Sequence, residues 1–153
     1  MTTVVKAIRS ACAHAVETRC REHTCELHVK GFADHVILKG EKLRPNTVIC
    51  DNLVFASADN VVTAVVEMKS RSVDATEVLG QLGSGSAVAA KLLNDHGAPP
   101  HKRPFYPILL CESCHPMERR ELSRRRVGFQ GGRYDIIVKT RVASLSDLVD
   151  HLG

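Results

Sequence analysis

Two runs of β-branched residues, Thr47 to Phe55 (TVICDNLVF) and Val61 to Lys69 (VVTAVVEMK), constrain this chain more than any other feature. Val, Ile and Thr are stiff at χ1 and pack well on a pleated surface, so both runs predict strands. Ser57-Ala58-Asp59-Asn60 between them supplies turn residues, which makes the pair an antiparallel hairpin. Residues two apart on a strand share a face. Glu67 and Lys69 therefore project together, while Val62, Ala64, Val66 and Met68 make the opposite face wholly apolar. A three-residue loop (Ala58, Asp59, Asn60) sets Ser57 against Val61 and Asp51 against Glu67. A two-residue turn shifts the register by one and separates them.

The flanking segments predict an α/β arrangement. From about Thr3 to Glu22 the chain reads as a helix, with Val4, Ile8, Ala11, Cys12 and Ala15 on one apolar stripe. Continued, that helix places Glu22 on the stripe and Glu17 on the far side. Leu27 to Val29 and His35 to Leu38 are short strand candidates punctuated by Gly31 and Gly40, and Glu41 to Asn46, with Pro45, reads as a loop. Asp74 and Glu77 stand in the capping-box relation, with Val73 and Val78 at the staple positions, and announce a helix towards Asn94. Gly80, Gly83 and Gly85 within it permit close approach to a sheet. After a loop from His96 to Pro104 come a strand at Phe105 to Cys111, a turn at Pro116, a strand at Tyr134 to Lys139 and a terminal helix from Ser144 to Leu152. Gly128 to Arg133 reads as a hairpin connection, with a DNA-contacting loop as the alternative. The sum is one domain over 1–153 with a central mixed β-sheet flanked by helices.

Composition narrows the classes. Of the 153 residues 44% are hydrophobic but only 4% aromatic, with no Trp, so the core must be aliphatic. No stretch approaches the roughly 20 apolar residues that span a bilayer, and no secretory signal is visible, so a cytoplasmic location without membrane association is expected. The six cysteines are then expected as reduced thiols. Cys111-Glu-Ser-Cys114-His115 is formally a haem-attachment string, but that use requires export. Cys20, Cys25, Cys111 and Cys114 form the rival set, a four-thiolate zinc module. The formal charge of +4 permits a polyanionic partner. Arg119, Arg120, Arg124, Arg125, Arg126 and Arg133 concentrate positive charge late in the chain, either as a solvated basic segment or as a backbone clamp.

Opposed Asp51 and Glu67 carboxylates repel each other unless a cation lies between them. All-oxygen ligands suit Mg²⁺ or Mn²⁺. Lys69 beside such an ion can orient an attacking water and offset transition-state charge, and the Met68 carbonyl is a candidate further ligand. The competing reading is a surface salt bridge on an edge strand.

The pattern Asp51, fifteen residues, then Glu67-Met68-Lys69, on a hairpin between an N-terminal helix and a second helix, resembles the PD-(D/E)XK nucleases of the restriction-endonuclease-like fold. Val65 to Arg71 looks most like the corresponding strand of archaeal Holliday-junction resolvases. The likeness covers roughly Val4 to Leu110, and its specific part is Asp51 to Arg71. It implies Mg²⁺-dependent endonucleolytic hydrolysis of DNA, with Asp51 and Glu67 as metal ligands and Lys69 as the catalytic lysine. Some members add a Glu from the first helix, which Glu22 matches better than Glu17, and others a Gln on the helix after the lysine strand, which Gln81 matches. Resolvase-like relatives pair as homodimers. Cys50 stands where a Pro often precedes the Asp, and Gly31 to Pro45 is longer than in compact resolvases, so the likeness is to the superfamily more than to the resolvases. Around such a core Arg71, Lys102, Arg103, Arg124, Arg125 and Arg126 are the candidate phosphate contacts. A non-catalytic nucleic-acid-binding protein and the zinc module remain the alternatives.

Overall fold

The computed structural model describes residues 3–97 and 104–152. In chain order these form α1 (Val4–Ala11), a 3₁₀ turn (Ala13–Ala15), β1 (Val16–Glu17), β2 (Cys20–Glu22), β3 (Cys25–His28), β4 (His35–Lys39), α2 (Gly40–Leu43), β5 (Asn52–Ser57) and β6 (Val61–Lys69). There follow α3 (Ala75–Asp95), β7 (Phe105–Cys111), α4 (Pro116–Ser123), β8 (Arg126–Phe129), β9 (Gly132–Asp135), β10 (Ile137–Thr140), β11 (Val142–Ser144) and α5 (Leu145–Leu152).

The hairpin takes the expected register. Ser57 faces Val61 and Asn52 faces Val66, so the loop is Ala58 to Asn60. It lies at the centre of a six-stranded sheet ordered β1-β4-β5-β6-β7-β10. Strands β1, β4, β5 and β6 pair antiparallel, whereas β7 and β10 continue parallel from β6, so the sheet is mixed. Strand β6 is therefore an interior strand, and Val62 to Met68 are all buried. That removes the edge-strand reading of the Glu67-Met68-Lys69 segment and extends burial to both of its faces.

Alternation along the strands feeds two aliphatic cores. Leu53, Phe55, Val65 and Leu109 face α1, α3 and α4 through Val5, Ile8, Val78, Leu82 and Leu122. Val54, Ala64, Val66, Ile108 and Leu110 face a three-stranded sheet (β11-β3-β2) and α5 through Leu27, Leu145 and Leu148. Helix α3 starts as its sequence announces. The Asp74 side chain accepts from the Glu77 N–H at 3.2 Å, and Val73 and Val78 are both buried beside it.

Several boundaries differ from the sequence reading. The N-terminal helix ends at Ala11 instead of running to Glu22, because Val16-Glu17 pairs with the outer edge of β4 and Cys20 to Glu22 joins β3. Pairing an open sheet edge and covering an apolar face outweigh a helical stripe that carries no further apolar residue after Ala15. Strand β5 begins at Asn52, not Thr47; the Thr47–Asp51 segment leaves the ladder, with Val48 exposed and Asn46 at φ 59°. Glu41 to Leu43 belongs to the short helix α2 instead of a loop. Pro116 starts a helix where a turn was expected. Its ring suits the first helical position and His115 caps the end by accepting from the Met117 N–H. The Tyr134 to Lys139 run is divided between β9 and β10 at Ile136. Gly128 to Arg133 is the expected hairpin connection: Gln130 (φ 49°) and Gly131 (φ 85°) make its two-residue turn. Phe129 stacks on Phe105 with centroids 4.2 Å apart and fixes that hairpin against β7.

Two glycines are required by close approach. A Cβ on Gly40 would lie 2.0 Å from the Cys50 carbonyl oxygen, and one on Gly85 would lie 2.3 Å from the Cys50 sulfur. Cys50 is thus wedged between α2 and α3. Gly80 and Gly83 meet nothing within 4 Å, so the close approach expected of the three helix glycines holds for Gly85 alone. Gly40→Ala should lower stability by about 1–3 kcal/mol in urea unfolding, since the blocking atom is backbone. Gly83→Ala should raise it by up to about 1 kcal/mol, because it only removes unfolded-state freedom.

Candidate functional site

At the open end of the hairpin the backbone ladder stops and side chains take it over. Continuing the register one step beyond Asn52–Val66 places Asp51 opposite Glu67. The two strands splay there. The Met68 N–H donates to Asp51 Oδ2 at 2.8 Å, and the Asp51 N–H donates to Glu67 Oε1 at 3.1 Å. Each carboxylate replaces a carbonyl that the ladder would have supplied, so both are aimed by the backbone of the partner strand.

Glu67 is only 1% exposed. Burial, and then the neighbouring Asp51 charge, push its pKa up to about 8. Lys69 Nζ lies 3.3 Å from Glu67 Oε2 and 2.5 Å from Glu77 Oε1, which the first turn of α3 brings over the strand end. Burial opposes the lysine charge, but the bond to Glu77 and the Glu67 carboxylate outweigh it, so the Lys69 pKa moves up and the group is an ammonium.

Beside this cluster a cavity of about 500 Å³ opens, lined by Glu22, Lys39, Glu41, Asp51 and Gln81 with Thr47 to Cys50. Alternation on β2 turns Cys20 and Glu22 towards the central sheet, opposite Leu27 and Cys25. Glu22 thus reaches the cavity from a strand, not from the N-terminal helix that its spacing suggested. Its carboxylate contacts the Lys39 ammonium. Glu17 pairs instead with Lys42 at 3.3 Å and does not line the cavity. Gln81, one turn beyond Glu77, directs a buried side-chain oxygen that has no partner. Two close carboxylates, one of them held protonated, and an orphaned amide oxygen suit a hard cation. Among the described residues no three His, Cys, Asp or Glu side chains are grouped to hold a metal ion, so such a cation would rest on two carboxylates completed by amide or backbone oxygens and water.

The remaining candidates are scattered. Arg71, whose side chain is 85% exposed, leans 3.7 Å from Glu112 just past Lys69. Arg124 caps α4, while Arg125 and Arg126 pair with Glu121 (2.9 Å) and Asp135 (3.0 Å). No hydrogen bond or ion pair among the described residues ties that block to Asp51, Glu67 or Lys69. Lys102 and Arg103 lie outside the described residues. The six cysteines are free, and burial raises the thiol pKa of each, to about 12 at Cys20. Cys20 sits apart by Asp51 and Lys39, whereas Cys25 and Cys114 both lie near Cys111. Lys39 was not legible as a site residue; its only sequence signal is a lysine ending a strand before a glycine. No helix among the described residues is long and apolar enough to cross a membrane. Comparison with protein-family models, curated proteins and solved structures gives no match.

The raised Glu67 pKa has a thermodynamic sign. A carboxyl whose folded pKa (about 8) exceeds its ordinary value of 4.5 favours the folded state below 4.5, and that contribution is lost as pH rises through 8. In chelator, the melting temperature of the wild type should fall between pH 5 and pH 9 more steeply than that of Glu67→Gln, and Mg²⁺ should restore part of the loss at pH 9. Parallel curves would contradict the buried-acid geometry.

Proposed function

We propose that this chain is a metal-dependent nuclease that hydrolyses DNA phosphodiester bonds. The observation that carries the reading is the convergence of Asp51, Glu67 and Lys69 at the end of two adjacent strands, where burial and then the Asp51 charge raise the Glu67 pKa. A hairpin that follows one helix and leads into another bears this set, in keeping with the restriction-endonuclease-like fold that the motif resembles.

Bound Mg²⁺ or Mn²⁺ would supply Lewis-acid polarisation of the phosphodiester and a lowered pKa for the attacking water. The residues of the chain do the rest. Asp51 and Glu67 would hold the ion, and the backbone N–H groups that already anchor both carboxylates leave little ordering to be done at binding. Glu67 would hold the ion in its ionised form, its proton passing to solvent water. Lys69 shares its ammonium between Glu67 and Glu77, which leaves it beside the acid pair to orient water and offset charge on the phosphoryl oxygens. The unpartnered Gln81 oxygen is placed to accept from a water in the same cavity. A homodimer would present two such sites for cutting both strands.

Supercoiled, branched and single-stranded DNA incubated with Mg²⁺ or Mn²⁺ should be cleaved by the wild type. Asp51→Ala, Glu67→Ala and Lys69→Ala should each lose at least about 100-fold in rate. Equal activity in all four proteins discards the mechanism, and metal-independent DNA binding without cleavage favours a non-catalytic binding protein. Because Glu67 must deprotonate, the apparent Mg²⁺ affinity should rise up to about tenfold per pH unit below pH 8 and level off above it, which titration of cleavage against Mg²⁺ at several pH values measures.

A further inference from the structure

Lys39 is the one basic side chain among the described residues lining the cavity, where Glu22, Glu41 and Asp51 are acidic. It ends β4, the neighbour of β5 on the side away from β6, and pairs with Asn52 next to Asp51. Adjacent strands lie about 4.8 Å apart. Lys39 and Lys69 therefore stand on either side of the Asp51–Glu67 pair in strand order, Lys39 on the face covered by β2 and Lys69 on the face covered by α3, and the cavity at the strand ends joins Lys39 to Asp51. They are not equivalent. Lys69 is shared by two carboxylates, whereas the ion contact of Lys39 is with Glu22 alone. The Glu22 side chain remains 29% exposed and Lys39 16%, so Glu22 can turn to water when its partner leaves. The pair is thus open to water mainly on the Glu22 side, where a competing anion can approach the Lys39 ammonium.

We infer that Lys39 receives a second phosphate of the nucleic-acid strand, next to the one at Asp51 and Glu67, and that Glu22 holds its ammonium at the cavity until that phosphate arrives. The inference rests on the nuclease reading for the identity of the anion. A polyanion entering an acidic cavity needs fixed positive charge on the flank as well as a cation at the acid pair. Lys39 supplies that charge, and Glu22 keeps it neutral and oriented beforehand. The contact positions the strand and carries no base information.

The test is binding of labelled single-stranded and branched DNA to the full chain in Ca²⁺, read by fluorescence anisotropy over a salt series, with cleavage in Mg²⁺ followed separately. Lys39→Met should weaken binding about fivefold or more at low salt and reduce the salt slope by about one. Lys39→Gln, which keeps a polar partner for Glu22, should do the same, so the test survives if the Met variant folds poorly. Glu22→Gln should tighten binding severalfold when Lys39 is present and change nothing in the Lys39→Met background. Wild-type affinity and slope in both Lys39 variants overturn the proposal. So does a Glu22→Gln effect that is the same with and without Lys39, or a wild type that binds no DNA. Binding that follows this pattern without Mg²⁺-stimulated cleavage removes the nuclease reading and leaves the phosphate contact standing. Cleavage with Lys39-independent binding does the reverse.

Discussion

The reciprocal pair of hydrogen bonds at the end of the hairpin, Met68 N–H to Asp51 and Asp51 N–H to Glu67, is the interaction on which the rest of the site depends. It substitutes carboxylates for carbonyls where the ladder gives out, so two acids are held side by side inside the protein. Such an arrangement is unfavourable in itself. Desolvation and mutual repulsion both oppose ionisation, and together they push the Glu67 pKa up to about 8. Lys69 lies against the pair, and among the described residues the unpartnered Gln81 oxygen leaves part of the cavity wall open to a cation.

Such an unfavourable cluster persists because its strands are anchored elsewhere. Strand β6 is interior and buried on both faces, and β5 is packed likewise through Leu53, Val54 and Phe55. Cys50 then aims the segment before Asp51: Gly40 and Gly85 leave room for its carbonyl and its sulfur and for nothing larger. Helix α3 begins almost at once after β6 because Asp74 caps it. The short connection puts Glu77 against Lys69 and Gln81 at the cavity wall. Packing, capping and the acid pair are thus one constraint seen at three points.

What could be read beforehand followed local rules. Period-two alternation and a turn rich in Asp and Asn determine which face Glu67 shares with Lys69, and the loop length determines what stands opposite Asp51. The α3 start was equally plain from Asp74 and Glu77. The N-terminal helical stripe leads into Val16 to Glu22, a segment compatible with helix or strand, and only an open β4 edge decides between them. Glu22 reached the cavity by an inward-facing strand position, a coincidence of helical and strand periodicity at that residue. Helix α4 hid behind Pro116, whose place at a helix start is as ordinary as in a turn. The arginine block was visible as charge, yet its side chains settle on Glu121 and Asp135, partners that no charge count discloses.

By itself the amino-acid sequence determined the hairpin, the aliphatic core and the capped helix, because each follows from the geometry of residues a few positions apart. Tertiary structure alone decided that β6 is interior, that Cys50 is wedged between two glycines, and that Glu22 meets Lys39 beside Asp51. Those outcomes join residues far apart in the chain. Their energies come from burying shared surface and from the loss of water around charges, and neither is defined until the segments have packed.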